Sequence, residues 1–311
     1  MNTDQPSSTV QAAFDTCERI VRARAKNFWY GLRLTPEPKR SAMYTIYAWM
    51  READDLADEP LRRVDDQLAA RRARIEQFRA DTDQALDGHI PTDRPLWTAL
   101  AHIAPRYRLV AKDFHDMLDG QLADLGGGVC CNTWNDLRLV CYRVASTVGL
   151  VCIRVWGYRD PRAVDYAIDR GIAFQLTNIL RDVREDQLNG RTYLPREDYA
   201  RFGISPEDLL AWRDPRRARE FMQFHIERAK SFYAASAPLE SMITPDCVPT
   251  LWALTQIYER ILQRIERNPQ KLTESSRVRL PTWEKLWVGY QAKRMAGSRS
   301  FAALPARAAT S

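Results

Sequence analysis

Two acidic stretches in helical sequence, residues 51–59 and 175–186, constrain this chain most strongly. Side-chain oxygens recur at every fourth residue in both, at Asp54 and Asp58 in the first and at Asn178, Asp182 and Asp186 in the second. On an α-helix this spacing puts the side chains of each row on one face, about 6 Å apart along the axis. Two such rows on facing helices predict a site for Mg²⁺, which takes oxygen ligands and usually shares them with substrate phosphates.

A single acidic helix face is usually solvated and paired with Lys or Arg one turn away. Both rows here lie in otherwise apolar helices, with Ile46 and Met50 before the first and Ile179 and Leu180 within the second. Carboxylates beside apolar stripes point towards an interior, where leaving them unpaired costs several kcal/mol. A metal ion together with a phosphate is the simplest way to neutralise them.

Helical periodicity runs through almost the whole chain of 311 residues, and no Gly/Ser-rich or Pro-rich linker divides it. The pattern predicts a single all-α domain over residues 13–298, a helical bundle with a central apolar cavity. The tails, residues 1–12 and 299–311, are expected to be disordered. Residues 26–31 break the periodicity, and residues 96–125 are predicted as continuous helix. A helix capped by Asn132 or Thr133 is expected to run towards residue 158.

Lys and Arg exceed Asp and Glu by six, and the pI is about 9.0. The positive charge is spread through helices, and no nucleic-acid motif is present, so we expect no binding of nucleic acid. A diphosphate substrate and a membrane surface both stay open as partners of the basic surface. Six cysteines without a C-x-x-C pair indicate a reducing, cytoplasmic location.

The apolar stretch 144–158 is shorter than the ~20 residues of a membrane span. We therefore expect no transmembrane anchor, with peripheral attachment to the inner face of the cell membrane left open.

Several other side chains in or near these rows suit phosphate or cation chemistry. Arg51 and Arg181 could each contact a phosphate oxygen, although an ion pair within the helix explains either one alone. An allylic carbocation needs apolar walls and aromatic faces, for which the candidates are Tyr47, Tyr142, Tyr193 and Tyr258. Core packing explains each tyrosine equally well. Small residues from Ser146 to Gly149 would let a long chain pass close to the backbone or two helices pack tightly.

Four segments together, residues 47–58, 142–149, 175–186 and 190–195, resemble the squalene/phytoene synthase family. The resemblance spans roughly residues 15–295. It implies an isoprenoid-synthase fold and a Mg²⁺-dependent prenyltransferase, with Mn²⁺ as the substitute ion. The implied reaction joins two farnesyl or geranylgeranyl diphosphates head to head, through a cyclopropyl diphosphate, to a phytoene- or squalene-type product in carotenoid, hopanoid or sterol precursor synthesis. NADPH is needed only if the product is squalene.

The resemblance also implies roles for individual residues. The implied Mg²⁺ ligands are Asp54, Asp58, Asn178, Asp182 and Asp186. The reacting centre would add Tyr142 and Tyr193 to the four aspartates. The implied contacts to diphosphate or prenyl chain are Arg24, Lys26, Asn27, Tyr47, Arg51, Gln175, Arg181, Arg191 and Tyr258. Residues 26–28 lack the hydroxyls common in the family's diphosphate loop, so donors there would come from Lys26, Asn27 and backbone N–H groups.

Three alternatives stay open. The basic surface could be a membrane- or partner-binding face alone, and two other functions are compatible with the same acidic rows. A class I terpene cyclase shares the acidic rows but uses one prenyl diphosphate, and a non-catalytic assembly factor of the same family would have lost the acidic residues, which are intact here. The sequence leaves the length of the prenyl chain undecided. Leu32, Tyr44 and Leu150 are the candidates for closing the hydrophobic tunnel.

Overall fold

A computed structural model of the protein describes residues 6–58, 64–125, 130–274 and 277–297. The described part consists of helices, turns and two isolated β-bridges, which confirms the all-α prediction. The helices are α1 Ser8–Arg24, α2 Lys26–Leu32, α3 Lys39–Asp58, α4 Val64–Leu86, α5 Pro95–Tyr107, α6 Ala111–Asp124, α7 Trp134–Cys141, α8 Thr147–Trp156, α9 Ala163–Leu188, α10 Arg196–Phe202, α11 Pro206–Ala211, α12 Pro215–Ala235, α13 Leu239–Met242, α14 Val248–Arg267 and α15 Thr282–Gly297. A π-helix, Tyr142–Ser146, joins α7 to α8, and a 3₁₀ helix covers Pro269–Thr273.

Local chemistry explains where α7 begins and where α8 ends. The Thr133 hydroxyl accepts a hydrogen bond from the Asp136 N–H at 3.3 Å, and the Asp136 carboxylate accepts one from the Thr133 N–H at 2.9 Å. This reciprocal cap satisfies donors that a helix start leaves unpaired and confirms Thr133 as the predicted cap. Gly157 has a φ of +84° and ends α8, because that backbone conformation favours glycine.

Three boundaries differ from the sequence prediction. Residues 26–31, predicted as a break, form most of α2, which packs against α14 with Gly31 close to the Leu254 side chain. The predicted helix over residues 96–125 is divided into α5 and α6 at Arg108, whose φ is +48°. Packing against α14 outweighs the weak local periodicity of the short α2 segment, and the left-handed backbone of Arg108 ends α5.

The N-terminal boundary is also corrected. Helix α1 begins at Ser8, and the Ser7 side chain accepts a hydrogen bond from the Val10 N–H. Residues 8–12, predicted as disordered tail, are therefore helical, because Ser7 supplies the cap. Residues 1–5 and 299–311 of the predicted tails lie outside the described residues, so the predicted disorder there stays a prediction.

Helix α9 is central to the packing. It contacts α12, α8, α14 and the π-helix, and two hydrophobic clusters meet along it. One cluster comes mainly from α1, α3, α5, α6 and α8, and the other mainly from α9, α12 and α14. Phe28, Ile168 and Phe174 pack against both clusters, so the boundary between the two halves of the core passes through these side chains.

Small residues let the π-helix and α8 approach α9 closely. A Cβ atom on Gly171 would lie 2.5 Å from Ser146 Cα, and one on Gly149 would lie 3.0 Å from the Ala167 carbonyl oxygen. The Ser146 hydroxyl donates a hydrogen bond to the Ile168 carbonyl at 2.7 Å. Because Gly171 lies against Ser146 and Ala167 lies against Gly149, α9 runs antiparallel to the π-helix and α8. The C-terminal half of α9 therefore lies near Tyr142, and Trp156 lies at the opposite end.

One continuous helical stretch in the described residues, Trp134–Trp156, is long and apolar enough by length and composition to cross a bilayer. This is weak support for a membrane span, because core helices of soluble proteins meet the same criteria. The stretch packs against α6 and α9 within the bundle.

We predict that Gly171→Ala lowers the free energy of unfolding by about 1–3 kcal/mol, since the added methyl group would meet rigid backbone atoms. Gly289→Ala is the matched control, because nothing lies within 4 Å of a Cβ atom there. The control should gain up to about 1 kcal/mol from helix propensity. Urea denaturation of both variants checks this, and equal stabilities would contradict the close contact.

Candidate active site

A cavity of about 280 Å³ lies between the two halves of the core. Its polar end is formed by Arg51 and Asp54 from α3 and by Gln175 and Asn178 from α9. Most of the remaining lining is apolar. It includes residues from Val144 to Trp156 along the π-helix and α8, together with Phe28 on α2, Met117 on α6, Leu239 on α13, and Leu251 and Leu254 on α14. Twelve residues of helix span about 18 Å. The cavity is therefore long and mostly apolar, with these four polar residues at one end and the buried Arg170, which pairs with Glu240, as a further charged residue in its lining.

Both acidic rows contribute an oxygen ligand to the same end of this cavity. Asp54 accepts a hydrogen bond from Gln121 Nε2 at 2.7 Å. Asn178 donates from Nδ2 to Gln175 Oε1 at 3.3 Å, while its Oδ1 is buried with no hydrogen-bond partner among the described residues. A buried acceptor without a donor is costly unless a ligand satisfies it. The predicted convergence of the two rows is thus present for Asp54 and Asn178.

Arg51 presents an unsatisfied donor to the same polar end. Its Nη2 forms a close ion pair with Asp55, whereas its Nε is buried without a hydrogen-bond partner among the described residues. Asp55 also accepts from Arg24 Nη2 at 2.9 Å. Asp55 therefore holds two predicted diphosphate contacts side by side, a role that the sequence reasoning did not assign. An unpaired guanidinium N–H suits an anionic ligand.

Asp182 is held by two arginines. Arg181 contacts its carboxylate through Nε at 2.8 Å and Nη2 at 2.6 Å, and Arg277 contacts it through Nε at 2.5 Å and again through Nη2. The Asp182 side chain is 13% exposed. Burial acts to raise the pKa of Asp182, but these hydrogen bonds and charges outweigh it, so the pKa lies below its usual value. Arg181 thus binds Asp182 in this structure rather than facing the cavity.

Arg277 is a site residue that the sequence reasoning missed. It lies 95 positions after Asp182 in the sequence and belongs to no recognisable motif. Its Nη1 also lies 3.8 Å from Glu185 Oε2. A long-range contact of this kind has no periodic signal that sequence inspection could detect.

Asp186, Arg191 and Tyr193 line a separate small hollow beside α9, not the main cavity. The Arg191 N–H donates to the Asp186 carbonyl at 2.8 Å, which fixes the turn after α9. Burial, followed by the nearby charge of Asp182, raises the pKa of Asp186 to about 7. Burial and the carboxylate one turn earlier on the same helix face therefore disfavour the charged form of Asp186.

Four aromatic rings surround the polar end of the cavity. Tyr258 stacks on Phe174 with ring centroids 4.5 Å apart, and Phe28 lies 5.8 Å from Tyr258 and 6.5 Å from Tyr47. Burial raises the pKa of both tyrosines, so their phenols stay neutral. Electron-rich ring faces stabilise a nearby positive charge. The predicted placement of Tyr47 and Tyr258 beside the cavity is observed, and the two phenylalanines complete the group.

Tyr142 does not line the cavity, in contrast to the prediction that it would line the reacting centre. Its hydroxyl donates to Asp116 Oδ2 at 2.8 Å, and Lys112 Nζ lies 5.8 Å from its ring centroid. The π-helix begins at Tyr142, and its extra residue per turn rotates the side chains that follow. Val144 and Ala145 face the cavity instead.

The apolar part of the cavity corrects the prediction about chain length. Leu32, Tyr44 and Leu150 are buried in the core but do not line the cavity. Trp156 lies at the end opposite Asn178 and is the largest side chain of that end. Cys152 lines the same apolar wall, and burial raises the pKa of its thiol to about 12.

Among the described residues, no group of three or more His, Cys, Asp or Glu side chains is assembled as a metal site. The donors at the polar end nevertheless fit a hard cation, because Asp54 and the unpaired Asn178 Oδ1 face the same cavity and both are oxygen ligands. Asp58 is the last residue of α3, one turn after Asp54. The side chains of Asp58, Lys26 and Asn27 lie outside the described part of the protein.

Comparison with known proteins defines the class. Residues 21–284 match the family model described as squalene/phytoene synthase. Phytoene synthase of Arthrospira platensis is 36% identical over 292 residues, covering 90% of this chain and 92% of the relative. The 15-cis-phytoene synthase of Synechococcus elongatus is 35% identical with the same coverage. A dehydrosqualene synthase crystal structure superposes with a TM-score of 0.79 at 28% identity, covering 93% of this chain and 98% of that one.

A second solved structure, squalene synthase HpnC from Alicyclobacillus acidocaldarius, superposes with a TM-score of 0.75 at 26% identity. It covers 83% of this chain and 94% of that one. The fold and site therefore define a helical prenyltransferase. The chain belongs to the squalene/phytoene synthase family, whose reaction is the head-to-head condensation of prenyl diphosphates. The family assignment and the all-α fold predicted from the sequence are confirmed.

We predict that Asp186→Asn stabilises the protein in EDTA at pH 8. A carboxyl whose pKa is higher in the folded state than in the unfolded state contributes stability below the unfolded pKa. That stability is lost as the pH rises from the unfolded pKa of 3.8 through the folded pKa of about 7. The Asp186→Asn variant has no carboxyl to ionise and does not lose this stability. It should therefore be more stable than the unmodified protein at pH 8 and equally stable near pH 4, as measured by thermal denaturation.

Glu185→Gln is the control for this comparison, because Glu185 is the neighbouring carboxylate and its side chain is 61% exposed. Its stability should follow that of the unmodified protein across the pH range. An Asp186→Asn variant with the same pH profile as the control would disprove the raised pKa of Asp186.

Proposed function

We propose that the protein is a Mg²⁺-dependent phytoene synthase that condenses two molecules of geranylgeranyl diphosphate. The geometric support is one observation: Asp54 and Asn178, whose buried Oδ1 is unpaired among the described residues, line the same long and mostly apolar cavity. The support for the product is the similarity to phytoene synthases at 33–36% identity, over 82–91% of this chain. A substrate with a charged head and a long apolar tail matches both ends of the cavity.

The diphosphate end of the substrate would lie between the two rows. Asp54, Asp58, Asn178, Asp182 and Asp186 would hold Mg²⁺, with Mn²⁺ as a substitute. When bound, Mg²⁺ supplies positive charge that makes diphosphate a better leaving group. Arg51 would donate its unpaired Nε–H to a phosphate oxygen, with Arg24, Lys26, Asn27 and Gln175 nearby. Asp55 would keep the Arg51 and Arg24 guanidinium groups oriented towards that oxygen.

The first chemical step breaks the C1–O bond of one substrate, and diphosphate leaves with the electron pair. The resulting allylic cation would lie among Phe28, Tyr47, Phe174 and Tyr258, whose ring faces stabilise positive charge without forming a bond to it. The apolar lining excludes water, which would otherwise convert the cation to an alcohol.

In the second step, the C2=C3 double bond of the other substrate attacks the cation. Loss of a proton then closes a cyclopropane ring, which still carries the second diphosphate. Ionisation of that diphosphate, rearrangement of the ring and loss of another proton give the linear product phytoene. No electrons are needed from outside, whereas squalene formation needs a hydride from NADPH. We therefore propose that NADPH is not required.

Tyr193 and Arg191 would act at the turn after α9 rather than in the cavity, because the hollow that they line adjoins Asp186. We propose that they position the last carboxylate of the second row. The enzyme would work in the cytoplasm. Since its substrate and product are both strongly apolar, the proposal includes peripheral association with the inner face of the cell membrane.

We predict that Asp54→Asn and Asp182→Asn each lower Mg²⁺-dependent diphosphate release from geranylgeranyl diphosphate by about 100-fold or more. The reason is that an amide cannot supply the negative charge that holds the cation. Coupled assay of released diphosphate measures the rate, and Mn²⁺ binding in the presence of inorganic pyrophosphate, followed by electron paramagnetic resonance, measures the site directly.

Asp87→Asn is the matched control, since Asp87 is an exposed aspartate in the loop after α4. It should keep full activity and full Mn²⁺ binding. Near-normal release by either site variant would remove the metal assignment. Products from farnesyl and geranylgeranyl diphosphate, with and without NADPH, identified by mass spectrometry, decide between phytoene and squalene.

We predict that Trp156→Leu raises the relative kcat/KM for prenyl diphosphates longer than geranylgeranyl, because Trp156 fills the closed end of the cavity. The ratio of kcat/KM for a C25 to a C20 substrate should rise about 10-fold, which corresponds to about 1.4 kcal/mol of pocket discrimination. Leu150→Ala, on the same helix but outside the cavity, should lower stability and leave this ratio unchanged. An unchanged ratio for Trp156→Leu would mean that another side chain limits chain length.

A further inference from the structure

Helix α15 has two apolar faces. Val288 and Ala292 are fully buried on one face, where α15 packs against α14 and α2. On the other face, four large side chains are exposed: Trp283 at 67%, Leu286 at 53%, Trp287 at 49% and Tyr290 at 53%. Their spacing of three, four and seven residues places them in one line along the helix. We refer to these four side chains as the α15 stripe.

The α15 stripe stands apart from the rest of the described surface. Eight large hydrophobic side chains are exposed in the described residues, and four of them belong to this stripe. The other four, Ile90, Val110, Leu139 and Leu188, are scattered over separate elements. Single exposed apolar residues are ordinary, whereas a contiguous patch marks a binding surface. Trp287 and Tyr290 stack with their ring centroids 5.6 Å apart, which holds the patch in a fixed shape.

Basic side chains border the stripe. Lys293 and Arg294 are exposed in the last turns of α15 itself. On the neighbouring helix α14, Arg260, Arg264 and Arg267 line a polar groove with Glu284, the residue after Trp283. The Glu284 carboxylate pairs with Arg264 and lies 4.0 Å from Arg260. The stripe is therefore continued by two exposed cations on α15, and the adjoining groove holds three arginines and one carboxylate.

We propose that the α15 stripe is the surface by which this protein docks on an anionic lipid bilayer. Trp and Tyr concentrate at the boundary between headgroups and acyl chains, because their rings are apolar with one polar atom. A helix with an aromatic face and basic flanks lies in that plane, and anionic lipids attract the flanks. A specific dimer of two copies buries about 800 Å² on each partner, from some 20–30 residues. The stripe has only four side chains within eight residues, which is too few for such an interface, so a lipid surface fits it better than a second copy of the chain.

The position of α15 connects this surface to the cavity. Lys285 Nζ lies 5.6 Å from the ring centroid of Tyr30 on α2, and the same short helix supplies Phe28 to the cavity lining. Residues 277–281 lead from the Arg277 contact with Asp182 directly into α15. Docking through the stripe would place the cavity wall beside the bilayer that holds apolar substrates and products. The cellular meaning of this proposal rests on the proposed function, whereas vesicle binding is measured without substrate.

Sedimentation of the full chain with phosphatidylcholine vesicles, with and without phosphatidylglycerol, tests the proposal. The protein should bind the vesicles that contain phosphatidylglycerol, and added salt should weaken binding. The double variant Trp283→Ser/Trp287→Ser should lose about tenfold or more of the partition coefficient, because the aromatic contact area is removed. Lys293→Gln/Arg294→Gln should lose about fivefold per cation, and only on anionic vesicles.

Ile90→Ser and Leu139→Ser are the matched controls, since both side chains are exposed to a similar degree, at 54% and 48%, outside the stripe. Both should bind vesicles as the unmodified protein does. All variants should keep their circular dichroism spectrum and their diphosphate release in detergent micelles, which separates lost docking from lost folding or lost catalysis.

Two results would overturn the proposal. One is vesicle binding that is absent in the unmodified protein or unchanged in the Trp283→Ser/Trp287→Ser variant. The other is a dimer in sedimentation equilibrium that this variant converts to a monomer, since the stripe would then be covered by a second copy of the chain.

Discussion

The structure depends on how charge is held at one end of an apolar cavity. Carboxylates cannot stay beside a hydrophobic interior without cationic partners, since the desolvation cost would exceed what packing returns. The Arg51–Asp55 and Arg181–Asp182 contacts meet this need within single helices, and Arg24 and Arg277 add contacts from elsewhere in the chain. Helices α3 and α9 can thereby present polar residues to the same cavity without opening the core between them.

Much of the fold and part of the site could be predicted from the sequence, because both follow from local periodicity. The four-residue spacing put Asp54 and Asn178 on the correct helix faces, and the Thr133 cap marked the start of α7. Helix α2 was missed because a segment of seven residues has little periodicity, and its helical state depends on packing against α14.

Other features of the site depend on contacts that a linear pattern does not contain. Arg277 reaches Asp182 across 95 positions, and its neighbours in the sequence give no sign of it. Tyr142 was expected at the reacting centre from the family resemblance alone, whereas its hydroxyl donates to Asp116 at the start of the π-helix. Leu32, Tyr44 and Leu150 were candidates for closing the tunnel but do not line the cavity, whereas Trp156 does, and its place there depends on the antiparallel packing of α8 on α9 at Gly149 and Gly171.

Cys152 has a consequence for how long the enzyme can keep working. Its sulfur lies in the cavity wall, and capture of an allylic cation there would form an irreversible thioether. Burial raises the pKa of this thiol to about 12, so the more reactive thiolate is absent at cellular pH. Cys152 also lies between Gly149 and Trp156, away from the polar end where the proposed cation would form. Distance and protonation together therefore limit self-alkylation, on which the lifetime of the catalyst depends.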